Sequence, residues 1–414
     1  MTVAMLAAGK RALPPPTPEG KKPKLQPLIT RFFSNPALPR PPVVIPCEIN
    51  IKVTDTASAT LTADKKETPK NYSVLSLFCG AGGLDLGFKN AGFEITKAVD
   101  IDEDCCTTYK RNIGKHVKRA DLSTLALDQL PSSVDVIIGG PPCQGFSVLG
   151  LMNESDSRSS LVFTYAAIVG HVKPKMFVME NVAALAEIGK WKEVRDELAQ
   201  LFKRHSYNVN LIVLNAKDYG VPQSRLRVFF IGTRRPLFPP ESIPVPSGTS
   251  APTAGEVLRK LPTPGTAPNL GVCNAAVIPA KNPILRASPY SGSLLFNGKG
   301  RPVKLDDVVK ALPASMGGNA TPIVDEDELR HNAEPWVVDY HKGLMKGKKA
   351  VREAPARLRR LTVTEVALLQ SFPIDFVFEG TQSSQYRQIG NAVPPKLAEA
   401  VALAVRVCLE RQGS

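Results

Sequence analysis

Residues 72–102 read "YSVLSLFCGAGGLDLGFKNAGFEITKAVDID", and this stretch sets the predicted fold. The apolar run at 72–78 predicts a buried strand, the glycines after it predict a tight turn, and "LDLGFKNAGF" predicts an apolar helix. A second strand follows at "ITKAVDID". A strand, turn, helix and strand in this order are typical of an α/β protein with a parallel sheet.

The alternation continues along the chain. Apolar runs predict further strands at 134–140, 175–182 and 227–233, with the helical stretches "VFTYAAIVGHV" and "KEVRDELAQLFKRH" between them. We therefore expect a doubly wound, Rossmann-like and largely parallel sheet.

The composition divides the sequence into four segments. Residues 1–70 are rich in Pro and Lys with few core-forming residues, which indicates a disordered basic tail. Residues 71–233 carry the sheet pattern, and 234–357 interrupt it with many Pro and Gly. Residues 358–414 return to amphipathic helix, so we expect them to complete the first domain after a smaller inserted domain.

The net charge of +14 is unevenly spread. Residues 1–70 hold 11 Lys and Arg against 5 Asp and Glu, and residues 234–360 hold 19 against 11. A basic segment of domain length favours a polyanionic partner, most simply nucleic acid. The alternative is a solubilising surface.

The cysteine content and the hydropathy of the sequence indicate the cellular compartment. The seven cysteines form no CxxC pair and have no His-rich spacing, which argues against a disulfide framework and against a metal site. The sequence has no signal-peptide pattern and no apolar run of about 18 residues, so we expect a soluble intracellular protein without a membrane partner.

Polar and glycine positions at successive strand ends predict a cofactor site. Gly80 and Gly82 let the backbone turn closely around a ligand, although their spacing is not the dinucleotide pattern. Asp100 ends the next strand, and Asp121 follows a third possible strand. Each alone also fits a ligand-free turn, but together they favour a nucleoside-containing cofactor.

A candidate nucleophile lies in "GGPPCQGFS" at 139–147. Two prolines restrict the backbone before Cys143, which follows a strand at the edge where such sheets bind ligands. The next strand ends in "ENV", and a partly buried Glu180 would have a raised pKa and could donate a proton. The alternative is that Cys143 is a small buried hydrophobic residue.

Two arginines come just before the strand at 227–233, in "QSRLR". Because Arg225 and Arg227 are at alternate positions, we expect them to share a face that suits a phosphate or carbonyl oxygen. Solvated charges at a strand edge are the alternative.

Together these residues resemble the DNA (cytosine-5) methyltransferases. "FCGAGG", "GGPPCQGFS", "ENV", "QSRLR", "RRLTVTEVALLQSFP" and "QIGNAVPP" occur in that family's order across residues 72–414, with the variable region between the fourth and fifth motifs. The resemblance makes 71–233 the catalytic and cofactor-binding domain and 234–357 the target-recognition region.

The resemblance implies a mechanism. Cys143 adds to carbon 6 of a cytosine flipped out of duplex DNA, Glu180 acts at ring nitrogen 3, and Arg227 contacts the carbonyl with support from Arg225. Gln144, Ser147 and Arg158 match positions that close over the flipped nucleotide. The implied contacts to S-adenosylmethionine are Phe78, Gly80, Gly82, Asp100, Ile101, Asp121, Asn391 and Val393.

Two alternative functions fit the sequence, one with a different substrate and one without catalysis. One is an RNA cytosine-5 methyltransferase of the same fold, against which "PPCQGFS" and the lack of a Cys-Phe-Thr sequence both argue. The other is a catalytically inactive regulatory DNA-binding protein, against which the presence of Cys143, Glu180 and the glycine turn argues.

The tail holds a second motif, "QPLITRFF" at 26–33. It resembles the motif that binds the sliding clamp PCNA, with Gln26 in a polar pocket and Ile29, Phe32 and Phe33 as an apolar plug. The resemblance implies action at replication or repair sites, and hence a nuclear location. A bacterial modification enzyme fits residues 72–414 equally well, and only the tail argues against it. The lysines nearby are also consistent with a nuclear import signal.

Overall fold

A computed structural model describes residues 71–142, 161–238, 243 and 248–412, together with the backbone of residues 51–53. Among these residues, eight strands form one central sheet in the order β1-β7-β9-β6-β5-β2-β3-β4.

The strands are β1 (Ile51–Val53), β2 (Tyr72–Leu77), β3 (Phe93–Asp100), β4 (Val117–Arg119), β5 (Val136–Gly139), β6 (Met176–Val182), β7 (Tyr207–Asn215), β8 (Gln223–Ser224), β9 (Leu226–Arg234), β10 (Pro279–Ile284), β11 (Leu294–Phe296), β12 (Val309–Lys310), β13 (Ile323–Asp325) and β14 (Leu358–Arg360). The helices are α1 (Gly83–Asn90), α2 (Glu103–Asn112), α3 (Leu161–Val172), α4 (Ala184–Glu187), α5 (Lys192–Arg204), α6 (Ala254–Leu258), α7 (Glu326–His331), α8 (Trp336–Met345), α9 (Val363–Leu369), α10 (Gln382–Asn391) and α11 (Pro395–Gln412).

The prediction of a largely parallel α/β sheet is confirmed, with one reversal. Strand β9 runs antiparallel to both of its neighbours, β6 and β7. Its first residues, Leu226 and Arg227, therefore lie at the edge where the parallel strands end, and Arg227 pairs with Val182 of β6. The reversal is what brings an arginine from the start of a strand to a glutamate near the end of another.

Two strands of the central sheet were not predicted from the sequence. Strand β7 reads "YNVNLIVLN", in which polar residues interrupt the apolar pattern over its first half. Strand β1 lies within the tail assigned to disorder, where three residues pair in parallel with β7 and extend the sheet by one edge strand. The pairing needs only backbone hydrogen bonds, which composition does not reveal.

The core lies on both faces of the sheet. On one face α3 and α5 pack over β5 and β6, with Phe177, Phe202 and Tyr165 buried between them. On the other face α1 packs against the last helix, α11, and Leu397 and Val401 are fully buried there. Burial of such side chains contributes about 1.5–3 kcal/mol each, so α11 is an integral part of the sheet domain although more than 290 residues separate it from α1.

Residues 254–360 form short strands and helices around separate apolar clusters. They join the sheet domain through β12, which pairs with β8, and through α9. The assignment of 234–357 to target recognition stays a prediction.

Within the part of the chain that the structure describes, every helix is too short or too polar to cross a bilayer. The same residues include no group of three or more His, Cys, Asp or Glu side chains arranged to hold a metal ion.

Candidate active site

The glycine turn after β2 has the backbone conformation that the sequence predicted. Gly80 and Gly82 have φ angles of 54° and 90°, and Phe78 has a φ of 53°. A side chain at Gly82 would meet Ile113 and Tyr109, so glycine is required there by packing as well as by conformation. A Cβ atom at Gly80 would have no heavy atom within 4 Å, which leaves open space beside the turn.

Asp100 fixes this turn from the neighbouring strand. Its Oδ2 accepts a hydrogen bond from the Gly80 amide at 2.7 Å, and its Oδ1 accepts one from the Asp102 amide at 2.9 Å. Burial raises the pKa of Asp100, and these backbone hydrogen bonds oppose the rise. Asp102 in turn caps α2 by accepting from the Cys105 amide. The carboxylate thus joins two strand ends at one edge.

Ile101 and Asp121 flank the hydrogen bonds that Asp100 makes to the glycine turn. Ile101 is 61% exposed, which is unusual for a large apolar residue at the end of a buried strand. Asp121 follows β4 and is exposed; its Oδ1 accepts hydrogen bonds from the amide and hydroxyl of Ser123. The predicted cofactor residues from three successive strands therefore lie along one sheet edge.

The last sequence motif reaches the same turn, as predicted. The Val393 carbonyl lies 2.3 Å from the position that a Cβ atom on Gly83 would take, so the two backbones are in close contact. The Val393 side chain is 5% exposed and packs in the core, which leaves its backbone to contribute to a site. Asn391 ends α10 and is exposed.

Glu180 and Arg227 form a buried ion pair at the centre of this edge. Arg227 Nε lies 2.8 Å from Glu180 Oε1, and the two side chains are 15% and 11% exposed. Burial raises the pKa of Glu180, while the charges of Arg227 and Arg225 lower it. The sequence predicted a buried carboxyl with a raised pKa at this position, and Glu180 has both features; its role as a proton donor stays a prediction.

Asn181 holds the backbone that leads to the predicted nucleophile. Its Nδ2 donates to the Pro141 carbonyl at 3.2 Å, and its Oδ1 accepts from the Val182 amide. Its side chain is 2% exposed. Cys143 follows two residues after Pro141, and it lies outside the described residues together with Gln144, Ser147 and Arg158. The tail residues Gln26, Ile29, Phe32 and Phe33 also lie outside them.

Arg225 has different contacts from Arg227, and the expectation that the two share a face toward a phosphate or carbonyl oxygen stays a prediction. Arg225 is 2% exposed, and its guanidinium donates to the carbonyls of Leu312, Gly390 and Ala392. Arg225 directly precedes β9, and two of its partners, Gly390 and Ala392, flank Asn391 of the C-terminal motif. Its direct contacts are therefore structural, although its charge still acts on Glu180.

A comparison with known proteins identifies this arrangement. The model of the C-5 cytosine-specific DNA methylase family matches residues 72–406. The chain belongs to this family. It is 37% identical over 344 residues to the type II methyltransferase M1.HphI of Haemophilus parahaemolyticus, covering 81% of this chain and 87% of that one. It is 33% identical over 360 residues to M.NgoPII of Neisseria gonorrhoeae, covering 84% and 100%.

Solved structures show the same fold. The S. pombe Dnmt2 methyltransferase covers 83% of this chain and all of its own length, with a TM-score of 0.56 at 20% identity. The chain is thus an S-adenosylmethionine-dependent DNA (cytosine-5)-methyltransferase with a Rossmann-like methyltransferase sheet.

The residues at the sheet edge fit S-adenosylmethionine, the methyl donor of this family. The open space at Gly80 admits a ligand close to the backbone, the half-buried Asp100 carboxylate holds that turn in place, and the exposed Ile101 offers an apolar surface for a base. The C-terminal motif closes the site from the side of Gly83.

The sequence did not assign roles to three buried amides that hold this site. Asn181 belongs to the quoted "ENV", yet its role depends on a partner 40 residues earlier. Gln370 donates to the Ala392 carbonyl at 2.7 Å and also contacts Gln223. A polar residue within an apolar run, as in "VALLQSF", was the available signal for Gln370.

Proposed function

We propose that this methyltransferase acts on duplex DNA through a covalent Cys143 adduct. The observation that supports the proposal is the buried Glu180–Arg227 pair beside the Gly140–Pro142 backbone, directly before Cys143 in the sequence. A Cβ atom on Gly140 would lie 3.0 Å from Glu180 Oε2, so the loop backbone and the carboxyl are neighbours.

The chemistry explains why both groups are needed. Carbon 5 of cytosine is a poor nucleophile within the aromatic ring. The Cys143 thiolate forms a bond to carbon 6, while Glu180 donates a proton or a hydrogen bond to ring nitrogen 3, so that electron density moves to carbon 5. When bound, S-adenosylmethionine supplies an electrophilic methyl group to that carbon. Loss of the carbon 5 proton to a base and elimination of the thiolate then restore the aromatic ring.

Arg227 has two tasks in this proposal. Its Nε holds Glu180, which keeps the carboxyl aimed at one place, and its guanidinium supplies positive charge for the cytosine carbonyl oxygen as the adduct forms. Its Nη1 is anchored on the Leu226 carbonyl at 2.7 Å. A low-exposure site makes this charge more effective than it would be in water.

We propose that the target base is flipped out of the helix, because a paired base cannot reach residues at a recessed sheet edge. Gln144, Ser147 and Arg158 would close over it, and the basic 234–357 region would bind the flanking duplex.

Trapping the adduct tests this mechanism. DNA containing 5-fluorocytosine should become covalently bonded to the wild-type protein when S-adenosylmethionine is present, because fluorine cannot leave carbon 5 as a proton does. Cys143→Ser should bind the DNA without bonding to it. Normal turnover by Cys143→Ser, or no trapped wild-type complex, would reject the proposal.

We further propose that the tail directs the enzyme to PCNA in a nucleus. The proposal is supported by the sequence pattern of Gln26, Ile29, Phe32 and Phe33 in a basic, Pro-rich segment. A full-length protein with Phe32→Ala and Phe33→Ala should lose PCNA binding in calorimetry and keep its methyl-transfer rate on short DNA. Unchanged binding by this variant would show that the resemblance is coincidental.

A further inference from the structure

A buried polar chain lies beneath the cofactor turn, and the methyl-transfer mechanism does not use it. Tyr109 of α2 is fully buried, and its hydroxyl donates to Asp85 Oδ1 at 2.8 Å. The same hydroxyl lies 3.1 Å from His116 Nε2. Asp85 is itself fully buried in the first turn of α1, three residues after Gly82.

The Tyr109 ring also supports the turn directly. A Cβ atom on Gly82 would lie 3.0 Å from the ring and 2.1 Å from Ile113, so both side chains fill the space behind the glycine. The ring packs edge-on against His116 with an interplanar angle of 90°. Tyr109 is therefore held at its hydroxyl by two polar groups while its ring touches the glycine turn.

The His116 end of this row of hydrogen-bonded side chains opens to solvent. His116 and Ile113 line a surface cavity of about 310 Å³ together with Lys89 and Glu94. Ile113 contacts both this cavity and the space behind Gly82, so the two places share a wall.

We propose that Tyr109 is a positioning residue for S-adenosylmethionine binding: its ring sets the position of the glycine turn, and its hydroxyl holds that ring by joining Asp85 to His116. Because a turn already held in its binding conformation loses less entropy on binding, this chain raises cofactor affinity by preorganisation. The inference concerns cofactor binding alone and does not depend on the Cys143 adduct.

The charge of Asp85 makes this arrangement sensitive to pH. Burial raises the pKa of Asp85 to about 6. The groups facing it are Ser76 and Cys79 from the end of β2, Tyr109 from α2, and the more distant Asp100; His116, whose pKa is lowered by burial and by Lys89, lies behind Tyr109. A charged carboxylate accepts a stronger hydrogen bond than a neutral one. Tyr109 is thus held most firmly above about pH 6.

The test uses the full-length protein without DNA and measures S-adenosylmethionine binding by calorimetry from pH 5 to 8.5. Tyr109→Phe should weaken binding at pH 8 by about tenfold, which corresponds to one lost buried hydrogen bond. Tyr207→Phe is the matched control, because the buried Tyr207 hydroxyl donates to the Pro174 carbonyl at the opposite edge of the sheet. It should change binding by less than about twofold, since it loses a similar bond at a distance from the turn.

Asp85→Asn gives a second, independent arm. Asparagine keeps an oxygen acceptor for Tyr109 but cannot titrate, so the part of the pH dependence that arises at Asp85 should disappear while any part from Asp100 or His116 remains. Hydrogen exchange at the amides of residues 79–85 in cofactor-free protein should be faster in Tyr109→Phe and unchanged in Tyr207→Phe.

Two results would overturn the inference. One is equal weakening of cofactor binding by the Phe substitutions at Tyr109 and Tyr207, which would indicate a general loss of stability. The other is an identical pH profile for wild type and Asp85→Asn. If Tyr109→Phe fails to fold, the Asp85→Asn profile still decides, since that variant keeps the tyrosine.

Discussion

Arg227 Nε lies 2.8 Å from Glu180 Oε1, and the two residues come from antiparallel neighbours in the sheet. Burial raises the pKa of Glu180, and the adjacent arginines lower it again. Burial has the largest effect, so the pKa of Glu180 lies above its ordinary value. A carboxyl group with a raised pKa holds a proton more readily, as the proposed donation to cytosine requires.

Replacing this carboxyl should stop catalysis while sparing cofactor binding. Glu180→Gln keeps the shape of the side chain but cannot donate an acidic proton, so single-turnover methyl transfer should fall roughly 10²–10⁴-fold. Glu187→Gln, at an exposed position in the next helix, is the control and should behave as wild type. Turnover of Glu180→Gln within a few-fold of wild type would exclude Glu180 as the proton donor.

The same variant tests the pKa shift through stability. Because folding raises the pKa of Glu180, the protonated form is favoured in the folded protein, and its stabilising contribution is present below the ordinary glutamate pKa of about 4.3. That contribution is lost as the pH rises through the folded pKa. The free energy of unfolding of wild type, measured in urea relative to Glu180→Gln, should therefore decrease from pH 4 to pH 7. A constant difference would show that the pKa is not shifted.

Asn181 should matter for the approach of the nucleophile. Asn181→Ala removes the hydrogen bond to the Pro141 carbonyl and leaves buried groups unsatisfied, at a cost of about 1–3 kcal/mol in stability. The rate of trapping by 5-fluorocytosine DNA should fall more than the loss of stability explains. Asn112→Ala is a suitable control, because Asn112 makes comparable contacts to the Thr108 and Val377 carbonyls away from Cys143 in the sequence. Equal trapping rates in the two variants would contradict a role in positioning.

Alanine substitutions at the two arginines of "QSRLR" should have different effects on stability and on methyl transfer. Arg225→Ala leaves the Leu312, Gly390 and Ala392 carbonyls without their donor, so it should lower the unfolding temperature markedly and weaken cofactor binding through the adjacent Asn391. Arg227→Ala should abolish methyl transfer with a smaller loss of stability. Thermal unfolding and calorimetry of both variants measure the difference. The reverse pattern would assign the carbonyl contact to Arg225 and the supporting role to Arg227.

The sequence predicted the sheet and the order of its sites because their signals are local. Apolar runs, the glycine turn at Gly80 and Gly82, and acidic strand ends such as Asp100 all lie within a few residues of the structure that they specify. The reversed direction of β9 is not local. It follows from the pairing of β9 with β7 and β6, which no run of residues encodes by itself.

The different contacts of Arg225 and Arg227 also depend on partners that are distant in the sequence. Alternation along a strand predicts a shared face, but the partners of Arg225 come from residues 312, 390 and 392. Some of the cations in the 234–360 segment are likewise held by acidic residues of the same segment. Arg357 and Arg359 are bound to Asp325 and Glu326, so these two cations are already neutralised within the fold.

Arg359 should prove to be a structural residue of this segment. It donates to both oxygens of Glu365 at 2.7 and 2.8 Å and to Glu326 at 2.7 Å, and the Glu365 side chain has no exposed surface. Arg359→Met would leave that carboxylate buried without its cationic partner, so the free energy of unfolding should fall by about 3–5 kcal/mol.

Arg111→Met provides the contrast, because Arg111 pairs with Glu379 at the surface with 55% of its side chain exposed. This variant should lose at most about 1 kcal/mol. Urea unfolding of both proteins measures the two values. Since Arg359 links α7 to α9 through Glu326 and Glu365, Arg359→Met should also weaken DNA binding more than cofactor binding. Equal losses of stability in the two variants would show that burial of the pair does not decide its contribution.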